Sequence, residues 1–192
     1  QASGSSKPDH EYIRLFHNLL NQCVWMYDQQ GTVSWEKMIG VIQYAAKVKS
    51  CEHFVLDSLL KCGIPEDDYT KQKMFVDSLC SVARDTGIHI HFVAHSRKAQ
   101  NENNPPGKMD VKGTGSITDQ VDNVITWWRN KAKEEAIRTG KTTHDAEPDA
   151  MLICDKQRNG EWEGKLGFWF EPSSLQFTES PNSLPYDVLM GV

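Results

Sequence analysis

Two short apolar runs, each ending on a polar side chain and separated by a long amphipathic stretch, constrain this chain more than any other feature. The first is Glu52-His53-Phe54-Val55-Leu56-Asp57, and the second runs from His89 to Ala94 and delivers His95. Both are short and rich in β-formers, so they read as strands. Between them, from about Asp68 to Asp85, apolar residues recur at helical spacing, and Gly87 supplies the left-handed residue that ends many helices. A strand, a helix and a second strand in that order form the unit from which parallel α/β sheets are built.

The flanking segments extend the pattern. Ile13, Phe16, Leu19 and Leu20 predict a helix over 9–22, with Pro8 and Asp9 as its start signal. Cys23 to Tyr27 reads as a buried strand running into a turn at Asp28 to Gly31. Ser34 caps a second helix whose inner stripe is Met38, Val41, Ile42, Ala45 and Val48, although Lys37 stands where a full capping box has Glu. After Ser96 the segment RKAQNENNPPGKMDVKGTGS has no apolar period and predicts a long loop. A helical turn near Ser116 to Asp122 then precedes a strand at Val124 to Trp128. Residues 129–149 read as a charged, flexible connection. Further strands are expected at Met151 to Cys154, Lys165 to Phe170 and Leu175 to Phe177, with a turn at Asn159-Gly160. Residues 1–180 are expected to form one domain and residues 181–192 an irregular tail.

Composition narrows the class. With 39% hydrophobic and 24% charged residues among 192, the chain is ordinary for a soluble globular protein. No apolar run approaches the roughly 18 residues that span a bilayer. The first residues lack the basic and apolar stretches of a secretion signal, so the expected compartment is the cytoplasm. Cys23, Cys51, Cys62, Cys80 and Cys154 are odd in number and never spaced CxxC, which predicts reduced, mostly buried thiols. A net charge of -5 excludes a surface that is basic all over, but leaves room for a local stripe that tracks phosphates.

Four segments carry candidate chemistry. Ligands of open α/β sheets bind at the carboxyl ends of the strands, which makes Asp57 a candidate for holding the Mg²⁺ that bridges nucleotide phosphates. Asp is also a common loop starter after a buried strand. His95, at the end of the next strand, is placed to donate to a γ-phosphate or its attacking water. His89 and His91 share one strand face, and strand period explains them as edge histidines more simply than as metal ligands. Glycines in KGTGS close the long loop before the next helical turn. Lys156 and Arg158 lie two apart at the end of a strand, so both side chains point the same way and suit one shared anion. Solvated charges on a hairpin are the plainer reading of that pair.

In this order, FVLDS at 54–58, HFVAHSRK at 91–98, KGTGSITDQVDNVITWW at 112–128 and LICDKQRNGEWEG at 152–164 resemble the DnaB-type family of ring-shaped helicases. That family includes phage primase-helicases and mitochondrial Twinkle. The resemblance runs from about Cys23 to Phe177, and KQRNG at 156–160 is its most specific piece. It implies a RecA-like P-loop NTPase core with a mostly parallel sheet, partial in this chain. The activity it implies is an ATP-dependent 5′-to-3′ DNA helicase working as a hexamer around single-stranded DNA, with a primase and a helicase loader as further partners. Asp57 then looks like the Walker B carboxylate that holds Mg²⁺, and His95 like the γ-phosphate sensor. Lys156 and Arg158 look like the piston and arginine finger that enter the neighbouring subunit's ATP site. The loop carrying Arg97, Lys98, Asn101, Lys108 and Lys112 looks like the DNA-gripping loop, its four cations set against Glu102 and Asp110.

Two departures qualify that pattern. Asp119, with Gln120 beside it, stands where the family usually has Gln to couple DNA to ATP. The ATP-binding loop and the catalytic glutamate have no counterpart. Thr139-Gly140-Lys141-Thr142 imitates the loop, but Glu135 occupies the position where GxxxxGK[ST] needs Gly. The chain alone is therefore expected not to hydrolyse ATP, with the missing elements lying upstream in a longer protein. The rival readings are another RecA-like ATPase of the strand-exchange type, and a non-catalytic subunit that lends its arginine finger and DNA loop to a partner.

Overall fold

The computed structural model describes residues 9–65, 67–96, 104–111, 115–141 and 146–186. The backbone divides into two compact units: Gln29–Thr126 with Cys154–Glu163, and Gln1–Asp28 with Trp127–Ile153 and Gly164–Val192.

The first unit realises the strand, helix, strand pattern. β1 (His53–Asp57) and β2 (His89–Val93) run parallel, with His53 opposite His89 and Asp57 opposite Val93. α3 (Tyr69–Thr86) joins them. It starts where the Asp68 carboxylate accepts a hydrogen bond from the Lys71 N–H at 3.0 Å, and ends at Gly87, whose φ of +71° is costly for a residue with a Cβ. Between these caps Gln72, Phe75, Val76, Leu79 and Val82 are buried at spacings of three and four, one face of a helix. α2 (Trp35–Lys49), capped by the Ser34 hydroxyl, packs against that face with Ile42, Trp35, Met38 and Ile39. Phe75 is fully buried, its ring 6.2 Å from Trp35 and 5.8 Å edge-on to Phe92. Burying a side chain of that size stabilises by about 1.5–3 kcal/mol. Strand alternation then gives β1 and β2 two unlike faces. Phe54, Leu56, Ile90 and Phe92 turn to this core, and His53, Val55, Asp57, His89, His91 and Val93 are exposed on the other side. α4 (Ser116–Gln120) is a short helix pinned into the same core by Ile117.

The second sheet has the order β3 (Asn123–Arg129), β4 (Ala150–Gln157), β5 (Gly164–Glu171), β6 (Gln176–Thr178), with β5 and β6 antiparallel. α1 (His10–Cys23), capped by Asp9, and α5 (Lys131–Arg138) belong to the second unit. The α/β class is thus observed, in two sheets where one mostly parallel sheet was expected.

Four further expectations are corrected. Residues 24–30 form no strand, neither sheet includes them, and Val24, Trp25, Met26 and Tyr27 are exposed. β-forming residues become a strand only when another strand ladders with them. Residues 129–149 contain α5, which forms because Asn130 caps it from the Lys133 N–H at 3.0 Å, while Lys133 and Ala136 are buried on one face. On α2, Val48 is 58% exposed, since the buried line through Trp35, Met38, Ile39 and Ile42 has rotated away from it at 100° per residue. Of the five free thiols, Cys62 and Cys154 are buried, Cys51 and Cys80 half-buried and Cys23 exposed. Among the described residues no helix is long and apolar enough to cross a membrane.

Candidate functional site

Parallel pairing decides where the first two candidate side chains lie. Because Asp57 pairs with Val93, Asp57 and His95 sit at the same, carboxyl edge of the β1–β2 pair, and both are exposed there. Such an edge in an α/β protein is where strands hand over to loops and ligands bind. The Asp57–Ser58 peptide bond is cis, and a 3-10 turn at Leu59–Cys62 follows. Ser96, one residue beyond His95, forms an antiparallel bridge with Val111. That bridge closes the base of the loop expected to grip DNA. Within the loop, the Gly107 N–H donates to the Asp110 carboxylate at 2.9 Å, and Lys108 is exposed on a 3-10 turn at Lys108–Asp110. Arg97, Lys98, Asn101 and Lys112 lie outside the described residues.

Lys156 and Arg158, at the end of β4, both reach the C-terminal end of α4. Their common direction agrees with the two-residue spacing; their partners are groups of the same chain. Lys156 Nζ donates to the carbonyls of Thr118 at 2.9 Å and Asp119 at 2.8 Å. Arg158 Nη1 pairs with Asp122 Oδ1 at 2.8 Å, and Nη2 donates to the carbonyls of Asp119 at 3.2 Å and Gln120 at 3.4 Å. The Arg158 backbone N–H also donates to the Asp122 carbonyl at 2.9 Å. A helix C-terminus leaves its last carbonyls without helical partners and carries partial negative charge, so it attracts cations. α4 is anchored beneath this clasp by Ile117 and Thr118, both buried. Next to it, burial and then the Asp122 carboxylate push the Cys80 thiol up, which keeps it neutral.

Asp122 is the residue that sequence reasoning missed. Its signal was its place, directly before a strand and after a helical turn whose open carbonyls call for cations. The Asp119 carboxylate is exposed, whereas the Gln120 side-chain oxygen is buried and has no hydrogen-bond partner among the described residues. Thr139 to Lys141 lie at the C-terminal end of α5. The Lys141 N–H donates to the Ala136 carbonyl and the Gly140 N–H to that of Ile137, the pattern that closes a helix C-terminus rather than opening an N-terminus.

On the bare face of β1 and β2, His53, His89 and His91 cluster. His53 Nδ1 lies 3.4 Å from His91 Nε2, and the His89 and His91 rings are 4.5 Å apart. Burial and the two neighbouring imidazoles hold the His91 pKa below the ordinary histidine value. Among the described residues no group of three or more His, Cys, Asp or Glu side chains is arranged to hold a metal ion. A Mg²⁺ bound with nucleotide needs less than such a cage, since one carboxylate with phosphates and water suffices, and exposed Asp57 at the sheet edge fits that role. The described residues supply no glycine-rich phosphate cradle to go with it.

The sequence matches no protein-family model and no curated protein. The backbone is similar to a solved structure described as that of a DnaB-like replicative helicase and its interactions with primase. The TM-score is 0.66 at 14% identity, over 87% of this chain and 40% of that one. At that identity the likeness speaks to the fold, which is DnaB-like. This chain therefore spans well under half the length of the helicase it resembles.

Proposed function

We propose that this chain is the distal part of a RecA-like motor from an ATP-dependent replicative DNA helicase, which assembles as a ring on single-stranded DNA. One observation carries the reading: a parallel strand pair delivers Asp57 and His95 to one edge in a chain whose backbone is DnaB-like. In the longer protein Asp57 holds Mg²⁺ and His95 faces the γ-phosphate, at a nucleotide site completed by elements outside this chain. The metal supplies neutralisation of charge on the phosphates. Lys156 and Arg158, at the end of β4, serve the ATP site of the neighbouring subunit, and the loop closed by the Ser96–Val111 bridge follows the DNA backbone with Arg97, Lys98, Asn101 and Lys108, joined by Lys112 just beyond the bridge. A primase is the partner this reading favours, because the similar helicase structure is described with its primase interactions.

Subunit mixing in the longer protein tests the reading. Arg158→Ala should keep nucleotide binding and lose about 10³–10⁵ in ATP turnover, the range for arginine fingers. Asp57→Ala should be inactive for a different reason. A ring mixed from the two variants contains interfaces where an intact Asp57 meets an intact Arg158, so mixing should restore turnover. Normal hydrolysis by Arg158→Ala, with no recovery in mixtures that demonstrably exchange subunits, would sink it.

A further inference from the structure

We infer that Asp122 is the positioning residue for Arg158: with the carbonyls that close α4, it fixes the plane of the guanidinium while leaving donors free for an anion. The inference rests on the reading of Arg158 proposed above and adds to it the residue through which Arg158 is aimed.

Donor bookkeeping makes the case. A guanidinium has five N–H donors in a rigid planar fork. Asp122 takes one from Nη1, and the Asp119 and Gln120 carbonyls share those of Nη2. Three contacts on two terminal nitrogens determine the orientation of a planar group. The second Nη1 hydrogen and the Nε hydrogen have no hydrogen-bond partner among the described residues, and the side chain is 49% exposed. A cation held on one side and open on the other is the arrangement that electrostatic preorganisation requires, because little rearrangement remains when charge develops on the ligand. Lys156 is held against the same turn through the Thr118 and Asp119 carbonyls, so the two cations are aimed from one support. That support does not drift with the surface, since Ile117 anchors α4 in the core beside α3.

A stability role does not explain the pair. With side-chain exposures of 49% and 54%, the Arg158–Asp122 contact is a solvent-screened ion pair. Asp122 should therefore matter to catalysis more than to folding.

The test is a double-mutant cycle in the full-length protein. Asp122→Asn should lower kcat about tenfold, as expected for loss of one charge-assisted hydrogen bond, with KM for ATP and the unfolding midpoint unchanged. Asp122→Glu, which keeps the charge, should recover part of the loss, and Asp122→Ala takes the place of the Asn variant if that one folds poorly. Adding Asp122→Asn to Arg158→Ala should cost nothing further, because the residue to be aimed is gone. An unchanged kcat in Asp122→Asn, or a further tenfold loss in the Arg158→Ala background, overturns the positioning role while leaving the arginine-finger reading intact. Normal turnover by Arg158→Ala alone is the separate result that removes that reading, and the inference with it.

Discussion

Lys133 and Arg158 each meet a carboxylate oxygen at 2.8 Å, yet the two ion pairs sit in unlike surroundings. The Lys133 side chain is 7% exposed and its partner Asp149 22%. Its ammonium also donates to the Glu147 carbonyl at 2.7 Å, while Asn130 ties its side-chain nitrogen to Glu147 and Pro148 and its N–H to Asp149. Asp149 in turn accepts from the Phe170 N–H on β5 at 2.8 Å. The result is a knot that fastens the start of α5 to the sheet, with the Lys133 ammonium enclosed by its own unit. Arg158 is half in water, with two donors that have no hydrogen-bond partner among the described residues. A buried, fully engaged charge specifies structure, whereas a charge engaged on one side only is available for binding. Ion-pair distance alone cannot separate the two cases; burial and leftover donors can.

Truncating each cation is the most direct way to break this comparison. Lys133→Ala leaves Asp149 partly buried without its counter-charge, a change that typically costs about 3–5 kcal/mol. Urea unfolding should therefore show a large drop in midpoint, and a loss below about 1 kcal/mol would reduce the knot to a surface contact. Arg158→Ala should lower the unfolding free energy from the same titration by no more than about 1 kcal/mol, the usual range for exposed pairs. A loss as large as that for Lys133 would mean that the clasp on α4 is structural and that the two pairs are alike after all.

What the sequence made legible follows from where each signal resides. α3 was readable to within a residue or two because its caps, its apolar spacing and its terminating Gly87 are all local. The edge shared by Asp57 and His95 was readable because a strand, helix, strand order almost forces parallel pairing. The failures involve partners distant in sequence. Cys23 to Tyr27 has strand-forming residues, but whether they ladder depends on a neighbouring strand that composition does not name. α5 looked like a charged connection because Lys133 counts as polar in a sequence, although Asp149 and the Glu147 carbonyl make it a buried residue. The clasp was half legible: spacing gave the common direction of Lys156 and Arg158, and only the fold could show that α4 lies where they point.

The smallest effect sharpens the comparison from the opposite side, with charges that the fold disfavours. His53, His89 and His91 share the exposed face of β1 and β2, and burial together with the two neighbouring imidazoles lowers the His91 pKa. A histidine with a lowered pKa in the folded state binds protons more readily when unfolded. Its contribution to stability is therefore complete above the ordinary histidine value near 6.5, and is lost as pH falls from there through the lower folded value. Unfolding midpoints measured between about pH 7.5 and pH 5 should fall on the acid side. The fall should be shallower in His53→Gln, because that variant removes one of the two imidazoles that repel a protonated His91. The effect is expected to be modest, since the cluster is exposed and water screens the repulsion. An identical pH profile in wild type and His53→Gln would show that the imidazoles do not interact on this face, and that their closeness follows from strand spacing alone.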